Sequence, residues 1–343
     1  MRLATAGAGY FSQFHFEAWS RIPEIELVGS YNKRVERVAP IAARYGDPPV
    51  FDDFDRMLDA VKPDIVDIIT PPVTHRAFAE RALAAGCHVI CQKPFTHDLD
   101  EARDLVGKAR EADRILVVHE NFRFQPWYRE IARLIGEGLL GDLYQATFRL
   151  RPGDGQGEDA YLARQPFFRD MERFLVHETG VHLVDTFRFL FGSCDWVFAD
   201  LRQLNPGIAG EDAGTVLFGY GNGFRAVFDG NRLSDHPARN RRLTMGELTV
   251  EGSKGTLSLT GDADILFRPF ASNGTESIDY QWQDRGFGAD CVYALQRHVI
   301  DHLVKGTPLA NAAGDYLDVM RCEAAIYRSA ETGRRTALAE IEG

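Results

Sequence analysis

The chain has 343 residues, of which 45% are hydrophobic and 26% charged, a composition typical of a globular protein. Its formal net charge of −11 argues against nucleic-acid or membrane partners, because both need basic protein surface. No apolar run approaches the roughly 18 residues of a membrane span. The N-terminus lacks a signal-peptide core and the five cysteines form no C-x-x-C pair, so we expect a cytoplasmic protein.

The first 120 residues alternate short apolar runs with segments of helical length. Asp-rich stretches at 52–53 and 97–100 are typical of helix N-caps. This alternation predicts βαβ units, a parallel sheet and a Rossmann domain over residues 1–122. The predicted strands are 2–7, 25–32, 64–70, 87–93 and 114–120, and the predicted helices lie near 11–21, 34–45, 75–85 and 98–112.

The remaining residues follow a different pattern, in which runs of strands come after a helix. An irregular stretch at 151–173 is rich in glycine, arginine and aromatic residues. We predict an α/β domain over 123–343, with a largely antiparallel open sheet and helices on one face. Its predicted helices are 126–136, 178–191, 288–305 and 314–333, and its predicted strands are 143–150, 195–203, 213–220, 223–230, 244–251 and 255–260.

A glycine-rich turn joins the first strand to the first helix. The stretch "AGAGYF" places Gly7 and Gly9 where a tight turn brings a pyrophosphate close to a helix N-terminus. Ser12 occupies the position of the third glycine, so the fingerprint is incomplete. The βαβ context nevertheless predicts a dinucleotide site, contacted by Gly7, Gly9, Tyr10 and Phe11.

The end of the second strand predicts which nicotinamide cofactor binds. An acidic residue there usually bonds the ribose hydroxyls of NAD. Here the chain has Asn32, which can bond a hydroxyl without repelling a 2′-phosphate, followed by Lys33 and Arg34. The stretch therefore leaves both NAD and NADP open.

Three loops follow predicted strands and converge on the crevice where a nicotinamide would lie. They are "ITPPVTH" (69–75), the end of "VICQKPF" (89–95) and "HENFRF" (119–124). A lysine at such a strand end favours a functional role over a solvated side chain. The predicted cofactor contacts in these loops are Thr70, Pro71, His75, Gln92, Lys93 and Asn121.

The stretch "VHETGVHLVD" supplies a possible partner for Lys93. Glu178 and His182 are four residues apart, which on a helix places them on one face. A carboxylate and an imidazole there could bind a polar substrate and move a proton. The histidine spacing from His177 to His182 differs from that of H-E-x-x-H zinc sites, so we expect no metal.

Together these motifs resemble the Gfo/Idh/MocA family, the glucose–fructose oxidoreductase and inositol dehydrogenase group. Those that carry the resemblance are "AGAGYF", "ELVGSYNKR", "DIIT-P-P-V-T-H", "AAGCHVICQKP", "NFRFQPWY", "GLLGDL", "HETGVHLVD", "VEGSKGTL" and "AAIYRSAETGRR". The resemblance implies NAD(P)-linked oxidation or reduction of a sugar or polyol hydroxyl. It also implies an open sheet that forms subunit contacts, hence a homodimer or homotetramer.

By family position, Lys93 corresponds to the lysine of the E-K-P motif and His182 to the histidine of D-x-G-x-H. Two positions depart from the pattern: Gln92 replaces a glutamate and Glu178 replaces an aspartate. The implied mechanism places the substrate hydroxyl between Lys93 and His182. The imidazole suits the role of base at neutral pH, and the lysine binds the hydroxyl and stabilises charge.

We expect a small neutral sugar as substrate, specifically an aldose oxidised at C1 to its lactone. Arginines at 151, 164, 169 and 173 could bind an oxyanion, but acidic residues in the same stretch balance them. An inositol or polyol dehydrogenase and a non-catalytic NAD(P)-binding sensor are the alternatives. The predicted substrate contacts are Glu178, Tyr161, Arg164, Arg169 and Arg123.

Overall fold

The computed structural model describes residues 1–341 and divides into two compact units. The first comprises Met1–Asn121 and Asp290–Leu317, and the second comprises Phe122–Ala289 and residues 318–341. Within residues 1–341, no helix is both long and apolar enough to cross a bilayer.

The first unit contains the predicted parallel sheet, with six strands in the order β3-β2-β1-β4-β5-β6. This is the order of a doubly wound dinucleotide-binding fold. The strands are β1 (Arg2–Ala6), β2 (Glu26–Tyr31), β3 (Val50–Phe51), β4 (Ile65–Ile68), β5 (His88–Cys91) and β6 (Leu116–Val118). The helices are α1 (Ser12–Ser20), α2 (Val35–Ala42), α3 (Phe54–Val61), α4 (His75–Ala84) and α5 (Leu99–Glu111).

Local signals account for most of these elements. All four residues of β4 are buried, which explains an apolar run without alternation. Asp53 and Asp98 cap α3 and α5 by accepting hydrogen bonds from the backbone N–H groups of Arg56 and Glu101. The sequence did not predict β3, which has only two residues, or α3, which has eight.

The chain returns to the first unit near its end, through α8 (Cys291–Lys305) and the start of α9 (Ala313–Thr332). The backbone N–H of Val118 donates to the carbonyl oxygen of Asn311 at 3.0 Å, and the Asn311 amide donates to that of Glu120 at 2.5 Å. Arg21 also makes two hydrogen bonds to the carboxylate of Asp290. Residues 290–317 therefore differ from the prediction, which placed them in a second domain over 123–343.

The second unit contains a nine-stranded sheet in the order β14-β13-β12-β11-β7-β10-β9-β8-β15. Only the pair of β7 and β10 is parallel, so the sheet is largely antiparallel, as predicted. The strands are β7 (Leu143–Leu150), β8 (Trp196–Arg202), β9 (Ala213–Gly219), β10 (Arg225–Asn231), β11 (Gly246–Gly252), β12 (Gly255–Leu259), β13 (Ile265–Pro269), β14 (Glu276–Ile278) and β15 (Thr336–Ala337). The helices α6 (Pro126–Gly136) and α7 (Val181–Phe191) belong to the same unit, and β13, β14 and β15 were not predicted.

The strands of this sheet bury one face and expose the other. Val216 and Phe218 of β9 are buried, and the Phe218 ring meets that of Phe187 of α7 edge-on at 5.5 Å. Leu217 points to the opposite face, where it is only partly buried. Successive residues of β9 therefore lie on opposite faces of the sheet.

Candidate active site

Two glycines shape the loop between β1 and α1. Gly7 has a φ of +118°, and a Cβ there would lie 2.5 Å from the carbonyl oxygen of Ile69. A Cβ on Gly9 would meet nothing within 4 Å. Gly7 is therefore required by the turn and by the approach of the 69–70 backbone, whereas Gly9 borders open space beside the helix.

The N-terminus of α1 fits a dinucleotide pyrophosphate. Its first turn carries no acidic side chain, so the positive end of the helix dipole is not neutralised. Ser12 does not substitute for the missing third glycine; its hydroxyl closes the turn by donating to the carbonyl oxygen of Gly9 at 2.6 Å. Tyr10 is 41% exposed and Phe11 is partly buried. Both residues, which are predicted cofactor contacts, therefore lie in this loop.

The ribose position after β2 is held by a side-chain turn. The Oδ1 atom of Asn32 accepts a hydrogen bond from the backbone N–H of Arg34 at 2.9 Å. The Nδ2 group of the same side chain is a donor that suits a ribose hydroxyl. Lys33 and Arg34 are exposed, so a 2′-phosphate could reach them from solvent.

A buried histidine connects the loops that follow β4 and β5. The Nδ1 atom of His75 lies 2.8 Å from the carbonyl oxygen of Pro94, and its Nε2 atom lies 2.8 Å from that of Thr70. Burial lowers the pKa of this imidazole, although the backbone carbonyls oppose the shift. His75, a predicted cofactor contact, thus holds Thr70 and the Lys93–Pro94 segment together.

Gln92 connects Lys93 to a buried polar network. Its Nε2 atom lies 2.8 Å from Nε2 of His15 and 3.3 Å from Nδ1 of His119, and its Oε1 atom accepts from the backbone N–H of Lys93 at 3.1 Å. His15 in turn lies 2.7 Å from Oδ2 of Asp67 through its Nδ1 atom. The network therefore links the Lys93 loop to α1 and β4.

The hydrogen bonds of this network favour an amide side chain at position 92. An amide nitrogen can only donate, so the ring nitrogens of His15 and His119 that face it must accept. With Nε2 as acceptor, His15 donates from Nδ1 to Asp67, whose Oδ2 atom also accepts from Trp19 at 2.6 Å. The sequence analysis missed His15, Asp67 and His119, although an aspartate inside an apolar strand was an available signal.

The segment that carries Glu178 is wound differently from the predicted helix over 178–191. Leu175–Gly180 form a π-helix, and α7 begins only at Val181. Glu178 therefore lies in the π-helical turn and His182 in the first turn of α7, so the one-face argument from α-helical spacing does not apply directly. Single π-helical turns are frequent at functional sites.

His182 is held by an aromatic stack and an adjacent ion pair. Its ring lies parallel to that of Phe122, with centroids 4.0 Å apart and an interplanar angle of 1°. The next residue, Arg123, makes hydrogen bonds of 2.7 and 2.5 Å to the two carboxylate oxygens of Asp185, which is buried one turn after His182. Removing one partner of such a buried pair typically costs about 3–5 kcal/mol. Arg123, a predicted substrate contact, is thus bonded to Asp185, while its neighbour Phe122 stacks on His182.

The three predicted substrate contacts of the irregular stretch 151–173 form hydrogen bonds to other residues of the same stretch. Tyr161 donates to Oδ1 of Asp154 at 3.0 Å, Arg164 donates to Oδ2 of the same carboxylate at 3.3 Å, and Arg169 bonds the backbone oxygen of Glu158. Burial raises the pKa of Tyr161, which keeps its hydroxyl protonated. Buried Arg232, which the sequence analysis missed, joins Asp154 and Tyr161 to Glu178.

The side chains that could bind a metal ion are not grouped into a metal site within the described residues. Across residues 1–341, no three side chains of His, Cys, Asp or Glu are grouped to hold a metal ion. The absence of a metal requirement stays a prediction.

Asn32 offers a direct test of the ribose position. Asn32→Asp keeps the oxygen that accepts from the Arg34 N–H but adds a negative charge that repels a 2′-phosphate. We expect the ratio of kcat/KM for NAD to that for NADP to rise by about tenfold or more. An unchanged ratio, measured by steady-state kinetics with both cofactors, would mean that the ribose binds elsewhere.

Comparison with known proteins identifies both parts of the chain. Residues 1–120 match the "Oxidoreductase family, NAD-binding Rossmann fold" (GFO_IDH_MocA), and residues 128–258 match the GFO/IDH/MocA C-terminal domain. The D-apiose dehydrogenase of Paraburkholderia graminis is 33% identical over 99% of this chain and 90% of its own. The D-glucoside 3-dehydrogenase of Escherichia coli is 33% identical over 98% of this chain and 97% of its own.

A solved structure extends the match to the whole fold. The crystal structure of an oxidoreductase from Agrobacterium radiobacter, in complex with NAD+, L-tartaric acid and magnesium, superposes with a TM-score of 0.90 at 26% identity. The match covers 100% of this chain and 99% of that one. These findings confirm the predicted fold, the enzyme class and a nicotinamide cofactor. The chain belongs to the Gfo/Idh/MocA family of NAD(P)-dependent oxidoreductases.

Proposed function

We propose that the protein oxidises a small neutral sugar with NAD(P)+, specifically a free aldose at its anomeric carbon, and releases the lactone. The similarity to D-apiose dehydrogenase over 99% of the chain supports an aldose as substrate. A hemiacetal C–H gives up hydride readily, which favours C1 over a ring position. A neutral substrate is supported by three arginines of the second unit, Arg151, Arg164 and Arg232, that pair with carboxylates of the protein.

These arginines already face carboxylates of the protein. Arg151 lies 2.5 Å from Asp229, and Arg164 and Arg232 lie 3.3 and 2.9 Å from Asp154. A substrate phosphate or carboxylate would have to displace one of these partners, at a cost that a neutral sugar avoids. Sugar hydroxyls, which both donate and accept, suit carboxylate oxygens such as those of Glu178.

The reaction breaks the C–H bond at the oxidised carbon and the O–H bond of its hydroxyl, and a carbonyl forms. A bound nicotinamide supplies the hydride acceptor. His182 accepts the hydroxyl proton, and its ring is oriented for this by the stack on Phe122. The ammonium of Lys93, whose backbone is fixed by Gln92, donates to the substrate oxygen and stabilises the developing negative charge.

Oxidation of a ring hydroxyl is the second candidate. The match to D-glucoside 3-dehydrogenase has the same 33% identity as the match to D-apiose dehydrogenase, and its name specifies position 3. An inositol or polyol would be oxidised by the same type of chemistry. The two candidates differ in whether the substrate needs a free anomeric hydroxyl.

Blocking the anomeric oxygen separates these candidates. With NAD(P)+, we expect D-apiose or another free aldose to produce absorbance at 340 nm, and its methyl glycoside to produce none, because the glycoside has no anomeric O–H to lose. Mass spectrometry should identify a lactone or its hydrolysed acid. Equal turnover of the methyl glycoside would favour ring oxidation, and turnover confined to uronic acids or sugar phosphates would refute a neutral substrate.

Loss of the Lys93 ammonium should impair the chemical step. Lys93→Met should lower kcat by roughly 10²-fold or more, because one positioned charge and donor is lost, while cofactor affinity changes little. Lys305→Met is a matched control, since Lys305 is 59% exposed and pairs with Asp301 of the same helix. A kcat near that of the wild type in the Lys93 variant would contradict the mechanism.

The outer face of the nine-stranded sheet is the surface through which we propose that the protein forms a homodimer or homotetramer. The register places Phe198, Leu217, Val227 and Thr147 side by side on β8, β9, β10 and β7. Phe198 is 41% exposed. On the same face, Arg149 and Glu247 pair at 3.7 Å. A second copy of the chain that packs on this face would therefore cover the apolar groups and contact one positive and one negative side chain.

A charge in this row should weaken the oligomer. Leu217→Asp places a carboxylate at the middle of the row, and we expect a shift toward the 38.4 kDa monomer in light scattering at micromolar concentration. Val304→Asp is the control, because Val304 is 52% exposed on α8 in the first unit. A wild-type protein of strictly monomeric mass would refute the proposal.

A further inference from the structure

Arg232 is a charged residue in the interior of the second unit. It follows the last residue of β10, and only 1% of its surface is exposed. Its guanidinium lies over the rings of Tyr161, Phe168 and Phe174, at 5.2, 5.6 and 4.7 Å from their centroids. A cation with so little water requires compensation from several protein groups.

The two sides of the guanidinium bind different segments. On one side, Nε lies 2.8 Å from the hydroxyl of Tyr161 and Nη2 donates to Oδ2 of Asp154 at 2.9 Å. On the other side, Nη1 donates to the hydroxyl of Thr179 at 2.6 Å and lies 3.5 Å from Oε2 of Glu178. One planar fork therefore joins the irregular stretch 151–173 to the π-helical turn.

Thr179 completes the connection to Glu178. Its hydroxyl accepts from Arg232 and donates to Oε2 of Glu178 at 2.5 Å. The Glu178 carboxylate is thus oriented both directly and through this hydroxyl, and its side chain remains 16% exposed. A lysine could not reproduce the arrangement, since it lacks the fixed planar set of donors.

We propose that Arg232 is a positioning residue that fixes the Glu178 carboxylate for contact with the hydroxyls of the sugar. The inference rests on the proposed function. It adds a specificity role to a residue that lies 54 positions away from Glu178 in the chain. Because Arg232 and Arg164 together balance Asp154 and Glu178, the same cluster keeps the site neutral and disfavours an anionic sugar.

Sugar kinetics test the connection to Glu178. Arg232→Gln and Glu178→Gln should each raise the KM for the sugar about tenfold or more, with a smaller change in kcat and with the KM for the cofactor unchanged. The double variant should be no worse than Glu178→Gln alone, because Arg232 acts through that carboxylate. Arg133→Gln, at an exposed arginine of α6, is the control that should resemble the wild type.

Effects that multiply in the double variant, or a sugar KM within about twofold of the wild type in Arg232→Gln, would overturn the proposal. Removing a buried arginine can also prevent folding, so Thr179→Val provides a second test that retains every charge. This variant should raise the sugar KM several-fold with a melting temperature close to that of the wild type. An unchanged sugar KM in Thr179→Val would likewise overturn the proposal.

Limited proteolysis separates this inference from the proposed function. If the wild type oxidises no sugar, the proposed function fails, but the anchoring of 151–173 remains measurable in the full-length protein. Arg232→Lys should increase the rate of tryptic cleavage after Arg164 several-fold relative to both the wild type and Arg133→Gln. Cleavage at the wild-type rate in Arg232→Lys would show that Arg232 does not hold this stretch.

Discussion

The second unit depends on the neutralisation of two arginines beside its predicted site residues. Arg123 pairs with buried Asp185, and Arg232, itself buried, pairs with Asp154 and Glu178. An ion removed from water without a partner costs several kcal/mol, so each arginine fixes where its carboxylates lie. The first pair fixes the turn of α7 next to His182, and the second fixes the π-helical turn that carries Glu178. Charge pairing thus fixes the backbone next to two residues of the proposed site, His182 and Glu178.

In the first unit, the backbone of Lys93 is held by the uncharged side chain of Gln92. The backbone N–H of Lys93 donates to Oε1 of Gln92. The Nε2 group of the same side chain faces ring nitrogens of His15 and His119. Asp67, a carboxylate of this network, accepts hydrogen bonds from His15 and Trp19 at its Oδ2 atom. Gln92 therefore adds no charge beside the two histidines that its side chain contacts.

Local patterns predicted the features that depend on neighbouring residues. The parallel sheet, the Gly7–Gly9 turn and the caps at Asp53 and Asp98 all follow from short-range chemistry. The position of Lys93 at the end of β5 follows from the same apolar run that forms the strand. Short elements such as β3 were missed because two residues carry no periodic signal.

Features that depend on distant partners could not be predicted. Arg232 lies 78 residues from Asp154, and no pattern around either residue indicates that they pair. The π-helical turn looks like ordinary helix in the sequence, since its winding is revealed only by the backbone. The return of residues 290–317 to the first unit depends on hydrogen bonds that Asn311 makes near β6, almost two hundred positions earlier in the chain. The sequence patterns therefore predicted the candidate site residues but not the long-range hydrogen bonds and ion pairs that position them.

The central claim is that hydride leaves the anomeric carbon of a neutral aldose. It can be tested with D-apiose that carries deuterium at C1, incubated with the wild-type protein and NAD(P)+. The account predicts that mass spectrometry will find the deuterium in the reduced nicotinamide and none in the oxidised sugar. Deuterium retained in an oxidised sugar, with an unlabelled reduced cofactor, would place the oxidation at another carbon and contradict the account.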